Sequence, residues 1–209
     1  GVVFGEKSQV NLHSLLVSTL ELGAATGKIG DAGLLKKRNQ GYLQNGLFPA
    51  GGGGTPYLLA PIYADPATAP LEGAVTLDPG ATITAGTGGF IIIAGPKVES
   101  SGTLRATDGQ VSLQGGRFIT AVASTGASNS SDPDVRGYVL NTILAGRDDA
   151  TADFVASADD GLVINRGLIE SARGYISLGA ALKGEIVNAG LLSATTSVSR
   201  NGKIALTAG

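Results

Sequence analysis

The chain has 209 residues, 43% of them hydrophobic and 15% charged, with 33 glycines, 5% aromatics, a formal charge of −2 and no cysteine. This excludes a disordered tail, which needs low hydrophobicity and high net charge. It also excludes a basic nucleic-acid binder, and zinc-thiolate sites, disulfide scaffolds or thiol catalysis. Glycine costs about 1 kcal/mol against alanine inside a helix, so the composition points to many short strands joined by tight corners.

In chain order, the opening is strand-like, and Val10 to Leu16 reads as one strand carrying His13, the only histidine. Residues 23–73 hold Gly51-Gly52-Gly53-Gly54, five prolines (Pro49, Pro56, Pro61, Pro66, Pro70) and all but two of the tyrosines. They read as a long excursion with room for a short hairpin, and the basic run Lys36-Lys37-Arg38 inside it reads as a solvated turn. Beyond it a phrase of glycine, any residue, aliphatic, any residue, aliphatic recurs at Gly89-Ile91-Ile93, Gly109-Val111-Leu113, Gly174-Ile176-Leu178 and Gly202-Ile204-Leu206. A second phrase precedes each copy: Gly80…Ile83…Ala85, Gly102…Leu104…Ala106, Gly167…Ile169…Ser171 and Gly190…Leu192…Ala194, with Asn165 and Asn188 two positions before their glycines. Residues 116–161 form a second excursion, a polar passage from Ser124 to Val135 between strand-like runs Phe118–Ala123 and Tyr138–Leu144. The gap from Gly109 to Gly174 equals about three repeats and leaves room for degenerate coils.

Successive copies lie about 20 to 28 residues apart, within the solenoid range. Inside each phrase the alternation has the strand period of two, so Val111, Leu113, Ile176 and Leu178 point inward while Ser112 and Ser177 point out. Glycine and asparagine stand where the chain turns, because they adopt φ > 0 most cheaply. One coil cannot bury its own aliphatic side chains; stacked coils about 4.8 Å apart can. Parallel connections are right-handed by strong preference. The expected fold is an all-β, right-handed parallel β-helix over residues 1–209, with extra-helical loops or hairpins at 23–73 and 116–161. An antiparallel sandwich is the alternative, and it gives no reason for aligned phrases to recur. With no methionine and no leader, the sequence reads as an internal section of a longer polypeptide.

Gly1-Val2-Val3-Phe4-Gly5, then Ser8-Gln9-Val10-Asn11-Leu12 and Leu15-Leu16-Val17-Ser18-Thr19-Leu20, resembles the haemagglutination-activity domain of two-partner secretion, filamentous-haemagglutinin-like exoproteins. That family reads Asn-Pro-Asn-Gly, a β-branched residue, any residue and Phe-Gly, followed by a Gln-Val-Asn step and a Leu-Val-Ala-Ser-Thr-Leu stretch. Ile91 to Val98 and Gly109 to Leu113 are similar to its glycine-led strands, whereas residues 160–209 match only as generic repeats. The resemblance implies secretion in unfolded form through an outer-membrane β-barrel transporter, to the outside or the surface of a Gram-negative bacterium. It places recognition by the transporter's periplasmic domains on Gly1, Val2, Val3, Phe4, Gly5, Gln9, Val10 and Asn11. The 23–73 excursion is long for the family and implies a binding loop of its own.

A lone histidine cannot build a metal cluster or a triad without a nucleophile motif. The glycine run at 51–54 lacks the Gly-Lys-Ser/Thr ending of a phosphate loop. A β-helix polysaccharide lyase or hydrolase, with calcium, would draw on Asp132, Asp134, Asp148, Asp149 and Asp153 with Arg136 or Arg147; their spacing matches no calcium motif, and acidic residues are common in turns. Asn129-Ser130-Ser131 reads as a chance glycosylation triplet. The expectation is therefore a structural and binding module, not an enzyme, without metal or cofactor. Besides the transporter, two partner classes stay open: a host glycan or surface receptor, and a second copy of the chain in a homopolymeric fibre.

Overall fold

A computed structural model describes residues 1–24, 57–60, 73–117, 119–123, 138–142, 145–147, 154–156, 161–181, 183–195 and 202–208. Coil 1 comprises β1 (Val2–Phe4), β2 (Gln9–Leu12) and β3 (Leu15–Ser18), and is followed by β4 (Glu21–Ala24) and β5 (Tyr57–Ala60). Coil 2 is β6 (Ala74–Leu77), β7 (Thr82–Ala85) and β8 (Phe90–Gly95); coil 3 is β9 (Lys97–Ser100), β10 (Thr103–Ala106) and β11 (Gln110–Gly115). Four strands leave the stack next: β12 (Ile119–Ala123), β13 (Tyr138–Thr142), β14 (Ala145–Arg147) and β15 (Phe154–Ala156). Coil 4 is β16 (Leu162–Asn165), β17 (Leu168–Glu170) and β18 (Tyr175–Ala180), and coil 5 is β19 (Glu185–Asn188), β20 (Leu191–Ser193) and β21 (Lys203–Ala208).

Each coil gives one strand to each of three five-stranded sheets, β1-β6-β9-β16-β19, β2-β7-β10-β17-β20 and β3-β8-β11-β18-β21. Every pairing in them is parallel. The chain is a parallel β-helix, as its repeat predicts. The alternating side chains account for it. Val75, Val98 and Val163 stack in the first sheet, Ile83, Leu104 and Ile169 in the second, and Ile91, Val111 and Ile176 in the third, all within one core cluster. Burial of each such side chain contributes about 1.5–3 kcal/mol.

The corners need glycine for closeness. A Cβ on Gly167 would sit on the Gly102 carbonyl oxygen, and one on Gly190 would sit on that of Gly167. At the next corner Gly88, Asp108 and Arg173 share the left-handed region, with φ of 77°, 54° and 56°. Asp108 and Arg173 hold it through a forked ion pair, Arg173 Nε to Oδ1 at 3.0 Å and a terminal guanidinium nitrogen to Oδ2 at 2.7 Å.

Two expectations are corrected and a third is refined. Val10 to Leu16 is two strands, not one: the chain turns at His13 and Ser14, because Val10 belongs to the second-sheet column and Leu15 to the third. No degenerate coil intervenes between Gly109 and Gly174, since β11 pairs directly with β18 in unbroken register. The third is a refinement: Ser112 and Ser177 point out of the coil, as the alternation predicts, yet are covered. Ser112 is fully buried and Ser177 nearly so, because the second excursion lies over them.

The two excursions, moreover, meet. The strands β13-β12-β5-β4 form one antiparallel sheet in which β5, from the first excursion, pairs with β12, from the second. Tyr57 is partner to both Ala24 and Ala121, and Ala123 is partner to Tyr138, so β4 ends, β5 begins, β12 ends and β13 begins at the same end of this sheet. Leu20 and Ile119 pack with Ala94 and Leu16, and Ala121 and Tyr138 pack with Ile92 and Phe90, seating the sheet on the outer face of the third sheet. β14 and β15 make a separate antiparallel pair.

Candidate functional site

Coil 1 carries the residues on which the sequence places recognition, and among the described residues β1, β2 and β3 each lie at a sheet edge. Alternation divides those residues into two groups. Val2, Phe4 and Val10 point inward and are half-buried against the core, in register with Val75, Leu77 and Ile83. Val3, Gln9 and Asn11 point outward and are exposed, Val3 by 67%. The structure brings Gln9 and Asn11 together on the second sheet and sets Val3 apart on the first. Gly1 abuts coil 2, where a Cβ would lie 3.0 Å from the Ala74 oxygen; around Gly5 the space is open. Gly5 starts the corner between β1 and β2, its carbonyl accepting from the Ser8 N–H at 2.8 Å. Leu12, next to Asn11, is 49% exposed, although it occupies the column of Ala85 and Ala106.

A second polar assembly lies beneath the excursion sheet. The Gln110 side chain serves as a strand partner for Tyr138: its Nε2 donates to the Tyr138 carbonyl at 2.6 Å, and its Oε1 accepts from the Tyr138 N–H at 2.7 Å. Gln110 Nε2 also donates to Ser112 Oγ at 2.7 Å, and Ser112 and Ser177 share a hydroxyl contact at 2.6 Å. Phe90 meets the Tyr138 ring edge-on at 5.3 Å. Burial raises the Tyr175 pKa above its ordinary 10.0, partly opposed by its hydrogen bond to Ser177. Sequence reasoning missed this layer. A signal was present in Phe90–Gly95, whose continuous apolar run suits a strand covered on both faces.

The second sheet, over which no described strand packs, carries Thr82, Thr84, Thr103 and Arg105 outward, with Arg105 Nε 3.0 Å from Glu170 Oε2. Exposed pairs of this kind contribute little. His13 is exposed at its corner. Among the described residues no group of three histidine, aspartate or glutamate side chains gathers that could hold a metal ion, and no helix is long and apolar enough to cross a membrane. The lyase candidates Asp132, Asp134, Arg136, Asp148, Asp149 and Asp153 lie outside the described residues, as do Lys36–Arg38, the glycine run and Asn129; Arg147 is described only as part of β14.

Fold and surface together define a solenoid scaffold with an outward polar face on coil 1 and a sheet-forming pair of insertions on its flank. Comparison with protein-family models, with curated proteins and with solved structures finds no match to this chain.

Proposed function

We propose that this chain is a segment of a secreted adhesin-type exoprotein, a structural and binding module recognised by an outer-membrane β-barrel transporter. One observation carries the reading: the stretch Gly1 to Leu20, which resembles the two-partner secretion signature, folds as one coil of three strands, and its Gln9 and Asn11 stand outward there. Polar side chains on an exposed sheet face suit recognition that must not depend on the buried stack. Inward Val2, Phe4 and Val10 then act by packing the coil onto the core, and outward Val3, Gln9 and Asn11 supply contact. On this reading the protein is displayed outside or on the surface of a Gram-negative bacterium. Its receptor-binding part is the excursion sheet, since loops carried on a rigid scaffold are where recognition concentrates.

Capture of the full chain by the transporter's periplasmic domains tests the proposal. The double substitution Gln9→Ala, Asn11→Ala should weaken capture about tenfold, corresponding to about 1.4 kcal/mol, with an unchanged thermal midpoint. Wild-type capture by that variant would overturn it.

A further inference from the structure

Each step that an excursion interrupts needs a means of holding register, and the means differ. From coil 3 to coil 4, Asp108 with Arg173, Arg105 with Glu170 and Ser112 with Ser177 join the coils side chain to side chain. From coil 1 to coil 2 the chain leaves at Ser18 and returns at Ala74. Among the described residues, the one side-chain hydrogen bond across that step is Ser14 Oγ accepting from the Phe90 N–H at 3.2 Å. The rest is backbone ladder and aliphatic columns: Val2 on Val75, Val10 on Ile83, Leu15 on Ile91 and Val17 on Ile93. Columns of similar residues tolerate a slip of two positions, because each side chain then returns to its own face. Coil 1 needs a further restraint.

The excursion sheet supplies it. β12 is seated on coil 2, where Ile119 packs with Ala94, and Ala121 with Ile92. β5 pairs with β12, setting Leu59 opposite Ile119 and Leu58 opposite Thr120, and β4 pairs with β5, setting Leu22 opposite Leu59. Thr19 and Leu20 are all that separates β4 from β3. Leu20 is buried with Ile119 and Ala94, and Leu16 of β3 packs into that cluster and into the one holding Ala121 and Tyr138. The contacts thus close a circuit from coil 2 through β12, β5 and β4 back to coil 1. A slip of coil 1 on coil 2 has to break it, by sliding β4 along β5 or by lifting Leu20 off Ile119.

We infer that β12 is a register clamp for coil 1: by pairing with β5 it fixes where coil 1 sits on coil 2, although it belongs to the other excursion and pairs with no strand of the first or second sheet. Coil 1 is then set only once the second excursion has folded. The outward Gln9 and Asn11 on β2 owe their placement to a strand outside their own sheet. This clamp is independent of the transporter reading.

Leu58→Pro in the full chain breaks the circuit, because β5 lies between β4 and β12 and proline in a central strand removes a ladder hydrogen bond. Hydrogen exchange of β1 and β2 should quicken about tenfold, while β16 and β17 keep their protection. β1 and β2 belong to sheets on which the excursion sheet is not seated. Quickening confined to β3 and β4 would therefore mean a roof and no clamp, and would overturn the inference; so would unchanged exchange throughout. The opposite manipulation guards against a variant that misfolds. The chain has no cysteine, and Leu58 and Thr120 are direct partners, so Leu58→Cys with Thr120→Cys allows one disulfide between the excursions. Its oxidation should slow exchange of β1 and β2 about tenfold, and reductant should restore it. Equal exchange of β1 and β2 in the two redox states would sink the inference.

Discussion

Two steps of the stack differ in how the chain gets from one coil to the next. Between coils 2 and 3 it crosses from Gly95 to Lys97 through Pro96 alone, so the connection itself fixes the register. Between coils 3 and 4 it leaves at Gly115 and returns at Leu162. Both steps use the same aliphatic columns and the same backbone ladder. The interrupted step adds polar contacts between residues 65 apart: Arg105 with Glu170, Asp108 with Arg173, Ser112 with Ser177, and the Ser171 hydroxyl donating to the Ala106 carbonyl at 2.8 Å. A one-residue slip in a strand turns every side chain to the wrong face. Aliphatic columns of similar residues discriminate poorly between registers, whereas a forked ion pair and matched hydroxyls do not tolerate a shift. Across this long connection, side-chain pairing does the work that a short corner does between coils 2 and 3.

The contrast can be broken at several depths. Leu104, between Ile83 and Ile169, serves both steps at once, so Leu104→Ala should cost about 3 kcal/mol in urea unfolding and loosen both alike. Gln110→Ala should act on the detour: it removes two hydrogen bonds to the Tyr138 backbone at a cost of about 2 kcal/mol, and hydrogen exchange should quicken at β13 while β8 stays protected. A double-mutant cycle on Asp108→Ala and Arg173→Ala should show coupling that falls as salt is raised, since the pair is partly exposed. Salt-independent coupling, or none, would remove the ion pair from the register argument. The smallest effect concerns pH. The Tyr175 pKa is raised in the fold, so its contribution is complete below the ordinary value of 10.0 and is lost as pH rises through the folded value. Tyr175→Phe should flatten the alkaline loss of stability above about pH 10, as read from unfolding midpoints against the wild type.

Much of this architecture was legible in the residues. The recurring phrases mark β7, β8, β10, β11, β17, β18, β20 and β21, because inward aliphatics repeat with period two and glycines stand where coils approach closely. The asparagine before the corner glycine reads in the sequence only as a turn residue favouring positive φ; in the structure Asn165 and Asn188 instead end β16 and β19 outside that region and join amide to amide. The union of the two excursions was not legible, since the pairing of Tyr57–Ala60 with Ile119–Ala123 joins segments remote in sequence and leaves no periodic trace. Nor was the covering of the third sheet. Gln110, Ser112 and Gln114 alternate as a wet strand would, and only their neighbours Phe90, Ile92 and Ala94 reveal that the face is roofed. The spacing from Gly109 to Gly174 misled for a simple reason: distance along a chain counts what hangs off a corner as well as what winds. At coil 1, sequence alternation separates Val2, Phe4 and Val10 from Val3, Gln9 and Asn11, but their division between two different faces needed the corner at Gly5 to Ser8.

The register on either side of the second insertion has an evolutionary corollary. Gly95 and Gly115 are partners, as are Lys97 and Leu162, so the chain enters and leaves the second insertion at the two register positions that Pro96 alone joins one turn earlier. Rod and cargo are therefore free to diversify at different rates: a lineage can lengthen, shorten or exchange what is plugged in at that bend while the winding on either side keeps its pitch.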